Sequence, residues 1–138
     1  MAQSQTVTNT GITELVLLCS GGTATCVKSI VALNMATACT AAVTSTFADP
    51  ADTATHHTDG GLEIANADTV GQDTTNTTGD TITIDHVFTA TGTKNVAGIH
   101  ICNDDDDVAV VECCFNAVLA MEADDTLTID GAIVVDQA

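Results

Sequence analysis

Four groups of residues in this chain have side chains able to do chemistry. The first is the run Asp104-Asp105-Asp106-Asp107. Hard cations take carboxylate oxygens, so the run is a candidate site for a structural Ca²⁺ or Mg²⁺. It lacks the spaced ligands and the glycine of an EF-hand loop, and reads first as a solvated turn. The second is His56-His57-x-Asp59, which offers two imidazoles and a carboxylate, a donor set suited to a transition metal. Neighbouring loop histidines usually point apart, so solvated side chains are the plainer reading. The third is six cysteines, Cys19, Cys26, Cys39, Cys102, Cys113 and Cys114. Their spacing contains no CxxC pair of the kind that binds zinc. They read as small buried hydrophobes or as disulfides formed in an oxidising medium. Cys19 with Cys26 or Cys39 is the expected local pair. The fourth is Asn76-Thr77-Thr78, a glycosylation sequon in a polar stretch. No Cys–His or Ser–His–acid spacing marks a nucleophile, and we expect no enzyme and no further cofactor.

The elements that would position these groups are strands. In Thr81–Ala90, Ile82, Ile84, His86 and Phe88 fall on one face and polar residues mostly on the other, the period of a half-buried strand. Val96–Cys102 and Val108–Phe115 flank the Asn103–Asp107 turn, which predicts an antiparallel hairpin. In Thr126–Val135, Leu127, Ile129, Ile133 and Val135 share a face with Gly131, the glycine marking a bulge or a close backbone approach. His86 and His100 fall inside strands, His86 on an apolar face as a core or interface histidine. Upstream, Ala24–Leu33 is strand-like, and Asn34–Ala48 is ambiguous, with Cys39, Ala41, Val43 and Phe47 in a possible bulged strand. Thr53–Gly61 is a polar loop, and Leu62–Val70 is a weakly patterned strand. Thr10–Ser20 reads as a short helix capped by Thr10 and stopped by Gly21-Gly22. Residues Met1–Asn9 look like an extended arm whose Gln5, Val7 and Asn9 pair with a sheet edge of their own domain or of a neighbour. Seven or eight short strands separated by turns predict one all-β antiparallel sandwich or jelly-roll domain over residues 10–138, preceded by the arm at 1–9.

Charge bounds the partners. Nineteen acidic residues stand against Lys28 and Lys94, a formal charge of −17 in 138 residues. Such a surface repels nucleic acid and anionic membranes. Salt screens self-repulsion of this size, the Debye length falling to about 3 Å at 1 M, so the composition points to a salty habitat. Thr makes up roughly a fifth of the chain, which suits strands and their exposed faces. No apolar run reaches the ~20 residues of a membrane helix. The first residues lack a basic region and a signal core, so synthesis in a cytoplasm is expected.

Val7-Thr8-Asn9-Thr10-Gly11, followed by a short hydrophobic segment and Gly21-Gly22, resembles the start of a group of small structural proteins of tailed phages and tailed archaeal viruses. Their pattern runs VTNTG, a short helix, then a YIALG-like strand, matched here by Ser29–Asn34. A VFTATG-like strand is matched by Val87-Phe88-Thr89-Ala90-Thr91-Gly92, and a VTEAGLFN-like strand by Asn95–Asn103. ARxxFSA-like and GDTLTVTWTI-like strands correspond to Glu112–Ala117 and Asp124–Ile129. The order is kept over nearly the whole chain. The usual arginines and aromatics are missing, which fits a salt-adapted virus.

The resemblance implies a non-enzymatic virion component with a β-sandwich fold. The expected post is the outer surface of the head, as a capsid decoration or cementing protein of a virus with a haloarchaeal host. The expected partners are the major capsid protein and copies of itself, as a trimer, with no nucleic acid and no membrane. A tail fibre, spike or baseplate module is the alternative, and a cellular surface filament subunit the third reading.

Overall fold

A computed structural model describes residues 3–13, 27–73 and 80–135. They form two antiparallel sheets of an all-β, sandwich-like domain. The larger sheet contains β1 (Ser4–Val7), β2 (Val27–Asn34), β3 (Thr55–His56), β4 (Ala65–Asn66), β7 (Lys94–Asn103) and β8 (Ala109–Met121). Its order is β1-β8-β7-β2-β3, with β4 also on β2. The smaller sheet is β5 (Thr69–Asp73), β6 (Asp80–Thr89) and β9 (Thr126–Val135), in the order β5-β6-β9.

The alternating strands fall where the period places them. Ile84 and Phe88 of β6 and Ile129 and Ile133 of β9 are buried against Ile30, Ala32, Ile99 and Ile101 of the larger sheet. His86 lies edge-on to Phe88, with its Nδ1 3.4 Å from the Asp68 carboxylate. β7 and β8 form the predicted hairpin around Asn103–Asp107. Gly131 sits in an unbroken β6–β9 register, so it marks a close approach to Ile84 and not a bulge. The larger irregularity is in β8. It places residues 115–118 opposite the single residue Ala97, between the pairs Val96↔Leu119 and Gly98↔Cys114.

Residues 4–7 take the first of the two expected partners, an edge of their own domain: Gln5 pairs with Cys113 and Val7 with Val111, making β1 an edge strand of this chain's larger sheet. Two other expectations are corrected. Helical residues begin at 9, and the cap is Thr8 in place of Thr10. The buried Thr8 hydroxyl accepts the Gly11 amide at 2.9 Å and donates to the Ala109 carbonyl. The rest of the Thr10–Ser20 helix lies outside the described residues. Finally, residues 35–54 contain no strand, only a 3-10 turn at Ala51–Thr53. They are an irregular segment laid over the outer face of the larger sheet. There Leu33, Cys39, Ala54, Ala97 and Cys114 make a second buried cluster.

Two motif glycines sit where backbones nearly touch. A Cβ on Gly11 would stand 2.4 Å from the Val110 carbonyl oxygen, and one on Gly98 2.3 Å from that of Cys113. Neither obstacle is a side chain that can swing away. Gly11→Ala and Gly98→Ala are therefore each expected to destabilise the fold by about 1–3 kcal/mol, measured by denaturant unfolding. Gly92→Ala is the control, because nothing lies within 4 Å of its added Cβ.

Candidate functional site

The densest polar constellation lies under the segment that covers the larger sheet. β7 and β8 pair His100 directly with Glu112. Ile99 and Ile101 face the space between the sheets, so His100 faces the opposite way, as does Glu112 across from it. Both side chains have zero exposure. Glu112 Oε1 accepts from His100 Nε2 at 2.9 Å and from the Ala51 amide at 2.9 Å. Glu112 Oε2 accepts from the Ala42 amide at 2.9 Å and the Ser45 hydroxyl at 2.8 Å. Three of these four donors belong to the covering segment, which the carboxylate ties down.

The network continues outward. His100 Nδ1 lies 3.0 Å from His56 Nε2. His100 Nε2 donates to the carboxylate, and the donor in the His100–His56 contact is set by the tautomers of the two rings. His56, on β3, also packs its ring on Phe47 with centroids 4.3 Å apart. Burial and the neighbouring His100 push the His56 pKa down to about 4. Burial alone would raise the Glu112 pKa, but the bonds from His100, Ala51, Ala42 and Ser45 outweigh it and hold it at about 2. A covalent tie reinforces the polar one on the same strand face: Cys39 and Cys114 form a disulfide with Cα atoms 5.4 Å apart.

The sequence-predicted sites disperse in the fold. His56 joins the buried network, whereas His57 turns away, its Nε2 2.8 Å from the Asn95 carbonyl. Asp59 pairs with Lys94, which holds its carboxyl below the usual range. The acidic turn is divided among partners: Asp104 pairs with Lys28, Asp106 accepts from Ser29, and Asp107 accepts from Asn103 at 2.8 Å. Asp105 is exposed. Among the described residues, no group of three or more His, Cys, Asp or Glu side chains is placed to hold a metal. The local cysteine pairing is corrected for Cys39, whose partner is 75 residues away. Cys19, Cys26 and Asn76 lie outside the described residues. Cys102 and Cys113 are buried free thiols, both pushed up by burial. Asn9 donates its amide to the Val43 carbonyl at 2.8 Å, a tie within the chain.

Glu112 and His100 were missed as a pair. Glu112 was visible as the one charged residue in an apolar run, Val108–Phe115, but the predicted hairpin would set His100 opposite Val110, and a register shift between Ile101 and Cys102 moves it opposite Glu112.

A second feature lies on the open side of the sandwich. A groove of about 620 Å³ runs between β9 on one wall and β1 and β8 on the other. Val7, Val111, Phe115, Leu127, Ile129 and Ile133 are among the residues lining it.

Protein-family models, curated proteins and solved structures yielded no match to this chain.

Acid should act on the network in two windows. The unfolded chain protonates His56 near 6.5 and the folded one near 4. Protons therefore favour unfolding between these values, and stability falls by about 1.4 kcal/mol per unit as pH drops through that range. Glu112 titrates near 4.5 unfolded and near 2 folded. Its contribution is complete above about pH 4.5 and is lost as pH falls towards 2. Denaturant unfolding across pH 2–8 should show both windows, and His56→Gln should flatten the upper one.

Glu112→Ala leaves three covering-segment donors and His100 without their acceptor. It should cost about 3–5 kcal/mol. Cys39→Ser should cost about 2–4 kcal/mol, and reduction of the wild type should reproduce that loss.

Proposed function

We propose that this chain is a non-enzymatic structural component of a virus particle, made in the host cytoplasm and mounted on the outer surface of the head as a capsid decoration or cementing protein. The observation that carries this reading is the way the resembled motifs map onto the fold. Val7–Gly11 closes β1 and starts the helix, Ser29–Asn34 lies in β2, and Val87–Gly92 ends β6. Asn95–Asn103 lies in β7, Glu112–Ala117 in β8, and Asp124–Ile129 leads into β9. Gly11 and Gly98, which those motifs share, sit at the two close backbone approaches described above.

Two further features support a mechanical role. The polar side chains that the fold gathers are spent on one another, with His100 and Glu112 at zero exposure. Ser45 donates to the carboxylate rather than to an imidazole, so the arrangement works as a fastener and not as a nucleophile and base. The surface is acidic, and both lysines are paired with aspartates. That charge suits a salt-adapted host and keeps an exposed coat protein soluble. The partners are the major capsid protein and copies of this chain, in a trimer, and clamping of neighbouring capsid subunits is the activity.

Quantitative mass spectrometry of purified particles tests the reading. A molar ratio to the major capsid protein near one, or a simple fraction of it, is expected. A ratio below about a tenth would move the protein to the tail, because a symmetric shell needs copies in proportion to its subunits. Absence from particles would sink both positions.

A further inference from the structure

The two sheets are unequal in width, and the inequality falls on one side. The larger sheet continues past β9 through β8 to β1, while the smaller one stops at β9. β9 is paired with β6 along its whole length, from Thr126↔Thr89 to Val135↔Asp80. Among the described residues, no strand pairs with its other edge. Packed sheets stand about 10 Å apart, and strands within a sheet about 4.8 Å apart. The groove beside β9 therefore occupies the place of a fourth strand of the smaller sheet. Its wall on the larger sheet is the inner face of β1 and β8, where Val7, Val111 and Phe115 are only half-buried.

We propose that this groove is a strand-addition site. An extended segment of another protein lies beside β9, bonds its free edge, and inserts alternate apolar side chains between the sheets. This deepens the structural reading above by naming the surface and the chemistry of the partner.

Charge selects the occupant. The chain carries −17, and Lys28 and Lys94 are both committed to its own aspartates. The rim of the groove carries Asp130, and the exposed Asp124 and Asp125 lie just before β9. A second copy would bring like charge to like charge along this edge. The partner segment is therefore cationic: valine or isoleucine facing inward, alternating with outward lysine, arginine or threonine. Its length is set by the ten residues of β9.

The test uses the full chain and a synthetic ten-residue peptide that alternates valine or isoleucine with lysine and threonine. The control peptide has the same sequence with alternate backbone amides N-methylated. It keeps charge and side chains but cannot pair along a strand. Saturable binding is expected, with new amide-exchange protection in Thr126–Val135 and an N-methylated peptide weaker by about tenfold or more, the equivalent of one or two backbone hydrogen bonds. Asp130→Lys should weaken the cationic peptide and strengthen a version with aspartate in place of lysine. Equal binding of the two backbones, or protection elsewhere than β9, would overturn the proposal. So would protection of β9 that rises with protein concentration alone, since the occupant would then be a second copy. The two readings fail separately. Absence from particles with peptide binding intact defeats the virion role only, and incorporation into particles without strand binding defeats this site only.

Discussion

The buried carboxylate of Glu112 is the constraint on which the outer half of this fold depends. The segment over the larger sheet has no strand pairing between residues 35 and 54, so its amides cannot be satisfied by a ladder. Laying irregular backbone on an apolar sheet would ordinarily bury orphan donors. Glu112 answers by accepting two of those amides, those of Ala42 and Ala51, and a hydroxyl of the same segment, that of Ser45. The carboxylate in turn would be too costly to bury alone. His100, fixed opposite it by the β7–β8 register, supplies the fourth bond and carries the network on to His56. Cys114 stands two residues further along the same strand face and ties Cys39 of the same segment covalently. One face of one strand thus fastens a segment that has no periodic structure to hold itself.

That origin explains what could be read in advance. The strands β6 and β9 were legible because each presents one face to the other sheet, and burial writes that geometry as a period of two; β7 and β8, buried on both faces where they pair at His100 and Glu112, were legible from the turn between them. The covering segment writes no period. Its contacts reach 61 to 75 residues along the chain, from Ala51 to Glu112 and from Cys39 to Cys114. Nearness in sequence is no guide to such partners, which is why pairing Cys39 with Cys19 or Cys26 failed. The same holds for His56 and His57. A strand-like backbone turns adjacent side chains to opposite sides, so a motif that looks like two ligands becomes one relay member and one cap on the Asn95 carbonyl. Glu112 itself was legible as an acid within an apolar run. Its four donors were not, since two are backbone amides that any sequence there would supply.

The arm at residues 4–7 carries a related lesson. Its alternation through Gln5 and Val7 showed that it would pair, and pairing with β8 of the same chain completes the larger sheet. Once β1 is used in this way, it widens that sheet beyond the smaller one and creates the overhang that forms the groove wall. Among the described residues, the longest of the sheet edges left open is therefore not at the four-residue N-terminal strand, where the sequence directs attention, but at the ten-residue β9.

An open edge of ten residues is ordinarily a hazard, and proteins blunt such edges with lysine, proline or a bulge. β9 has none of these: its register on β6 is unbroken and the chain's one proline is Pro50. What guards it is the acidity of the whole molecule. Repulsion of that kind acts at the range of the Debye length and against like charge only. It keeps copies of the chain apart in dilute salt, weakens as salt rises, and reverses sign for a cationic segment. A bulge or a proline would close the edge to every strand, whereas a net charge closes it to some and leaves it open to others. The same excess of acid that limits self-association thus makes the β9 edge selective, and selectivity of that form is a property of an interface and not merely of a soluble surface.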